Sequence, residues 1–284
     1  MLRHRPAENF VGVFGWPLEH TLSPAIHSAA FRQAQLDWVY LAWPVEPDEL
    51  GDAIKGLRAL GALGANVTMP HKEAVMTHLD ELSGDARTVG AVNTIQRIGR
   101  RLVGHNTDVD GFRFFLERDA GIDPSGMRAL VLGAGGAARA VVRALDRLGV
   151  DEIVVAARDV DKGSKLAELP GHARGFAVSW EVASGKAAEY DLVVNATPVG
   201  IGSGDPLPTA EWRAGQVVVD LVYDPPSTTL VDRARSGGAH AWGGIGMLVH
   251  QAAASFGIWT GQDPPLETIS AAALHAIGGL RTKP

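Results

Sequence analysis

Short apolar runs alternate along the chain with segments whose apolar residues recur at helical spacing. Asn9 to Phe14 reads as a first strand. Ser23 is expected to cap a following helix with Pro24 at its first position, where proline has no amide hydrogen to leave unsatisfied. Trp38 to Trp43 predicts a second strand, and Pro47 to Leu60 a helix with Leu50, Ile54, Leu57 and Leu60 on one face. Another strand ends near Thr68. Pro70 again suits a first helical position, which places Lys72 in the first turn of a helix. Gly90 to Ile95 and Arg101 to Asp108 flank Gly99 as a hairpin or neighbouring strands, and Val109 to Ala120 predicts a helix with Phe112, Phe115 and Leu116 inward. Beyond a Gly/Pro break at 121–124, strands are predicted near 129–132, 152–157, 175–178, 191–195, 216–221 and 239–241, with helical stretches between most of them. This alternation predicts a parallel, doubly wound sheet. Met247 to Phe256 and Leu266 to Ile277 read as helices outside that sheet, returning to pack on the first part of the chain.

The densest chemical signal lies between Arg128 and Leu148. An apolar run from Ala129 to Leu132 ends at Gly133-Ala134-Gly135-Gly136-Ala137-Ala138, and helical spacing resumes at once. Strand, glycine turn and helix stand in the order that a dinucleotide site requires. Gly133 permits the tight turn, Gly135 lets backbone approach a pyrophosphate, and Ala138 takes the small position where helix packs on strand. The pyrophosphate would face the free amides and positive dipole end of the helix. A purely structural turn is the competing reading.

The chain has 284 residues, 46% of them hydrophobic, enough for two modest domains. The formal net charge is −6, and no long basic run occurs, which argues against nucleic acid as a partner. Met1 to Pro6 carries charge without an apolar stretch behind it, and no apolar run is long enough to span a bilayer, so a soluble cytoplasmic protein is expected. Cysteine is absent, which removes disulfides and thiolate chemistry, and the ten histidines are scattered without metal-ligand spacing. No metal is expected.

Several polar residues cluster near predicted strand ends. Thr21 and Ser23 present hydroxyls suited to a ligand carboxylate, although Ser23 has the capping role open to it as well. A cation at a helix N-terminus is electrostatically misplaced, so Lys72 is either a solvated lysine bearing a small penalty or a group readied by burial and the dipole for proton exchange. Asn66-Val67-Thr68, Asn93-Thr94 and Asn106-Thr107-Asp108 recur at three strand ends. Singly these are turn residues. Together they offer neutral donors and acceptors for a small polyhydroxylated molecule, with Asp108 able to pair with a ligand hydroxyl or with Lys72. No cluster of arginines accompanies them, which disfavours a phosphorylated substrate. Asn195 to Gly200, Val222 to Pro226 and Gly243 to Gln251 follow further strands, on the edge where doubly wound sheets bind ligands.

Taken together, these stretches resemble the shikimate dehydrogenase family over nearly the whole chain. The matching segments are Gly15-Trp16-Pro17 with Thr21 to His27, Asn66 to Lys72, Gly90 to Thr94, Asn106-Thr107-Asp108, Gly133 to Ala140, Asn195 to Gly200, and Gly246 to Gln251. The resemblance implies reversible oxidation of shikimate to 3-dehydroshikimate with NADP. It implies an α/β fold with an N-terminal substrate domain (residues 1–110 with 245–284) and a Rossmann-type nucleotide domain (residues 111–244). Lys72 and Asp108 match the catalytic pair. Thr21, Ser23, Asn66, Thr68, Asn93, Tyr223 and Gln251 match substrate contacts. Gly133, Ala134, Gly135, Gly136, Ala137, Arg158, Thr197 and Gly244 are the cofactor-binding candidates.

The chain departs from the family pattern at two places. Thr21 stands where many members have serine, and Ala157-Arg158-Asp159 stands where NADP-using members resemble Asn-Arg-Thr. An arginine after the second nucleotide-domain strand suits a 2′-phosphate, and Lys162 adds a second positive charge. Asp159 either repels that phosphate or caps the next helix. The alternatives are a quinate or quinate/shikimate dehydrogenase using NAD and a non-catalytic sensor of the same fold. Oligomeric state is not legible.

Overall fold

The structure is a computed structural model and describes residues 9–19 and 21–280; the charged start of the chain and its last four residues lie outside them. Internal contacts divide the chain into two units, Met1–Thr107 with Gln251–Pro284, and Asp108–His250.

The first unit contains β1 (Asn9–Gly15), α1 (Ser23–Gln33), β2 (Trp38–Pro44), α2 (Leu50–Leu60), β3 (Gly64–Val67), β4 (Glu81–Leu82), α3 (Gly84–Val89), β5 (Thr94–Ile98) and β6 (Arg101–His105). Its strands form one sheet in the order β2-β1-β3-β5-β6-β4. β1 runs parallel to β2 and β3, while β3-β5 and β5-β6 are antiparallel, the latter pair being the hairpin expected around Gly99. Leu50, Ile54 and Leu57 of α2 pack with Phe14, Ala65, Val67 and Ile95 in a core that places β3 and β5 at its centre. Leu60, expected on that same face, is 74% exposed because the helix ends there at Gly61.

The second unit begins with α4 (Asp108–Phe114), which continues as a π-helical turn over Phe115–Ala120. Then follow β7 (Arg128–Leu132), α5 (Gly136–Arg147), β8 (Glu152–Ala156), α6 (Val160–Ala167), β9 (Arg174–Val178), α7 (Trp180–Lys186), β10 (Leu192–Asn195), β11 (Val217–Asp220), α8 (Thr229–Ser236) and β12 (His240–Trp242). The sheet order is β12-β11-β10-β7-β8-β9, parallel throughout. This is the 3-2-1-4-5-6 order of a Rossmann sheet, whose strand direction of growth reverses between β7 and β10. Burial on both faces explains why β7, β10 and β11 read as continuous apolar runs rather than alternating ones.

The chain then enters α9 (Ile245–Thr260) and α10 (Leu266–Leu280). α10 packs on α1, and the α9 residue Trp259 donates its indole N–H to the Ile95 carbonyl at 2.9 Å, so both helices return to the first sheet as expected. Among the described residues no helix is long and apolar enough to cross a membrane.

Candidate active site

Two local expectations are corrected. Ser23 is the first residue inside α1; Leu22 occupies the cap with helical backbone angles, and no side chain caps this end. The Ser23 amide instead donates to Thr21 Oγ1 at 3.3 Å. Lys72 does not lie in the first turn of a helix. Residues 69–73 form turns after a cis Met69-Pro70 bond, and the next helical segment is a short 3-10 stretch, Ala74–His78. The Lys72 carbonyl accepts the Val92 amide at 2.8 Å, a distant donor that takes it out of any helical ladder. The dipole reasoning for Lys72 therefore lacks its helix. The turn is anchored by His71, 2% exposed, whose Nε2 lies 2.8 Å from the Val45 carbonyl.

At the C-terminal end of β3, Asn66 is almost buried. Its Oδ1 accepts the Tyr40 hydroxyl at 2.7 Å, and its Nδ2 is within reach of the Asn93 carbonyl (3.2 Å), Thr94 Oγ1 (3.2 Å) and Ser255 Oγ (3.1 Å). Asn93, just before β5, donates to Thr107 Oγ1 at 2.8 Å and to Gln251 Oε1 at 3.4 Å, and its Oδ1 accepts the Thr107 amide at 2.7 Å. The Thr107 hydroxyl also reaches the Gln251 carbonyl at 3.1 Å. Thr68 follows β3, with its amide on the Phe14 carbonyl at 2.8 Å. Asn66, Asn93 and Gln251, far apart in sequence, thus meet in one polar array. Tyr40, Thr107 and Ser255 belong to it without having been assigned roles from sequence. Thr107 sits inside a stretch already singled out; Tyr40 and Ser255 carry no local signal, being single polar residues in a strand and a helix.

Asp108 and Tyr223 belong to the second unit. Asp108 is the first residue of α4 and 4% exposed, at the helix end that favours a carboxylate. Burial, reinforced by Asp224, raises the Tyr223 phenol above its ordinary range.

The glycine turn has the form a pyrophosphate needs. Gly133 adopts a φ of +106°, and a Cβ there would come within 3.0 Å of the Thr197 methyl, so only glycine fits. Ahead of α5, Gly135 has open space at its Cβ position, and no side chain caps the helix. The first amides of α5, from Gly136 and Ala137, are left to an anionic ligand, while Ala138 packs with no exposed surface. Gly244 is pressed onto Leu221, where a Cβ would lie 2.0 Å from the carbonyl oxygen. Arg158 stands exposed two residues past the end of β8, and Asp159 accepts the Lys162 amide at 3.1 Å as the cap of α6. The residues present fit a dinucleotide.

A parallel 3-2-1-4-5-6 sheet with this turn at its switch point, joined to a second α/β unit bearing a polar array, defines a two-unit nucleotide-dependent oxidoreductase. Family models match the chain three times: the shikimate dehydrogenase substrate binding domain over residues 13–95, shikimate / quinate 5-dehydrogenase over 117–201, and the shikimate 5′-dehydrogenase C-terminal domain over 244–274. The chain belongs to the shikimate dehydrogenase family. It is 44% identical to shikimate dehydrogenase (NADP(+)) of Methanopyrus kandleri, covering 95% of this chain and 96% of the relative. Identity is 47% with the protein of that name from Salinibacter ruber, over 90% and 93% of the two chains. The crystal structure of shikimate 5-dehydrogenase from Thermus thermophilus in complex with NADP(H) and shikimate superposes with a TM-score of 0.84, at 39% identity over 94% of this chain and 99% of that one.

Proposed function

We propose that the protein is an NADP-dependent shikimate dehydrogenase, reversibly oxidising the 3-hydroxyl of shikimate to the ketone of 3-dehydroshikimate in aromatic amino acid biosynthesis. NADP, when bound, accepts the hydride that leaves the substrate carbon. Gly133 to Ala137, Thr197 and Gly244 would hold it, and Arg158 would supply the positive charge that a 2′-phosphate needs. The substrate-binding catalytic domain is residues 1–110 with 245–284, and the NADP-binding domain is residues 111–244.

The chain's own chemistry is the handling of one proton. As the carbon–hydrogen bond breaks, the hydroxyl proton must leave its oxygen, and Lys72 with Asp108 takes it up; in the reverse direction the pair returns it. Thr21 and Ser23 hold the ring carboxylate. Asn66, Thr68, Asn93, Tyr223 and Gln251 hold and orient the hydroxyls.

The observation that carries this reading is the array joining Asn66, Asn93 and Gln251, which offers neutral donors and acceptors suited to a polyol. The small molecule is the sole partner proposed, and the enzyme acts in the cytoplasm. Steady-state assays with shikimate and quinate, each with NADP and NAD, test it: the shikimate/NADP pair is expected to have the highest kcat/KM, and a clear preference for quinate or for NAD overturns it.

A further inference from the structure

The ends of β10 and β11 carry a buried hydrogen-bond chain that proton transfer does not use. Asp220 ends β11 with no exposed surface. Its Oδ1 accepts Asn195 Nδ2 at 2.8 Å and the Val222 amide at 3.0 Å; its Oδ2 accepts the Thr228 hydroxyl at 2.6 Å. The Thr228 oxygen meanwhile accepts the Val231 amide at 3.3 Å, which commits its hydrogen to Asp220. All three partners donate, so the surroundings match an acceptor-only, ionised carboxylate. Burial nevertheless pushes the Asp220 pKa up, against the pull of these hydrogen bonds.

Asn195 is equally buried and places both amide hydrogens, one on Asp220 and one on the Val199 carbonyl at 2.9 Å. Its Oδ1 is thereby turned toward Thr197, accepting the backbone amide at 3.1 Å and the hydroxyl at 2.7 Å. The Thr197 oxygen accepts the Val199 amide at 3.2 Å. The Thr197 methyl stands against Gly133, at the turn between β7 and α5. A continuous set of directed bonds therefore runs from a buried carboxylate to Thr197, and the Thr197 methyl packs on the glycine turn at the switch point between β7 and β10.

We infer that Asp220 is a positioning residue for the nucleotide: through Asn195 it sets the Thr197 segment against the Gly133 turn and so shapes the crevice that receives NADP. The inference rests on the reading of this unit as the NADP site. The carboxylate distinguishes the two ends of the Asn195 amide. Without it, a flipped amide would aim hydrogens at the two donors of Thr197, and the segment would lose its fixed distance from Gly133.

The test is NADPH binding by fluorescence titration, together with steady-state KM values and thermal unfolding, in wild type, Asp220→Asn and Thr197→Val. Wild-type protein that binds NADPH upholds the nucleotide reading; failure to bind sinks that reading by itself. Given binding, Asp220→Asn is expected to weaken NADPH at least tenfold and raise KM for NADP alike, with KM for shikimate within twofold of wild type. Thr197→Val keeps the shape against Gly133 but loses the hydroxyl, and is expected to weaken NADPH severalfold; it decides the matter if Asp220→Asn does not fold. NADPH affinity within twofold of wild type in the folded variants overturns the inference, as does an equal rise in both KM values.

Discussion

Tyr40 donates its phenolic hydroxyl to Oδ1 of Asn66 at 2.7 Å, and both residues are buried. Burial raises the phenol's pKa well above its ordinary value of 10.0, opposed in part by the neighbouring Ser23 side chain. The Tyr40 bond orients the Asn66 amide, leaving Nδ2 to face Thr94, Ser255 and the Asn93 carbonyl. Tyr40→Phe removes the donor and leaves Oδ1 unsatisfied, a cost of about 1–3 kcal/mol. A lower Tm and a severalfold higher KM for shikimate, with kcat changed less, are expected. Unchanged unfolding and KM would count against the array as an oriented unit.

His27 is fully buried, stacked on Tyr40 with ring centroids 4.6 Å apart, and neither ring nitrogen has a hydrogen-bond partner among the described residues. Burial lowers its pKa from 6.5 to about 3. The unfolded chain takes up this proton near the ordinary value, the folded chain only far below it. The stability His27 contributes is thus complete above the unfolded pKa and is lost as pH falls toward the folded one, at up to about 1.4 kcal/mol per pH unit. In urea unfolding, His27→Gln is expected to flatten the stability profile between roughly pH 6 and pH 4. Parallel profiles for variant and wild type would contradict this.

Asp146 on α5 accepts the amides of Gly171, His172 and Ala173 at 3.1, 2.8 and 3.0 Å, pinning the approach to β9. Burial opposes its charge, but the three amides and Arg143 prevail and hold the carboxyl below the ordinary 3.8. Its folded pKa is depressed, so its contribution is present above the ordinary value and lost as pH falls through the folded one. Asp146→Ala is expected to cost about 2–4 kcal/mol at neutral pH, with less further loss in acid. Chemical unfolding at two pH values checks both parts.

Much of this architecture is legible in the sequence. The parallel sheet reads clearly because strands such as Val217–Asp220 are buried on both faces and stay apolar from end to end. The glycine turn reads because Gly133 needs a backbone angle few other residues adopt. Ser23 and Lys72 misled because a proline beside each suggests a helix start, whereas Leu22 takes the first cap and Val92 draws the Lys72 carbonyl away. Tyr40, Ser255 and Asp220 were silent for a different reason. Their partners lie tens to hundreds of residues away or across adjacent parallel strands, and no local spacing encodes such meetings.

Cofactor choice turns on the end of β8. Asp159 accepts the Lys162 amide as the α6 cap, and the proposed function gives the 2′-phosphate to Arg158. Charge-assisted bonds of this kind are worth about 1.5–3 kcal/mol each. Arg158→Ala is therefore expected to lower kcat/KM for NADP at least tenfold and for NAD much less. An equal effect on both cofactors would refute the assignment.

The most direct measurement is the turnover of Lys72→Ala with shikimate and NADP, made beside a titration of NADPH binding. A group that moves a proton in the transition state typically contributes about 100-fold to 10,000-fold. Turnover is expected to fall by that order, while the variant stays folded and binds NADPH as wild type does. A folded Lys72→Ala that keeps a third or more of wild-type turnover would contradict the assignment of proton transfer to Lys72 and Asp108.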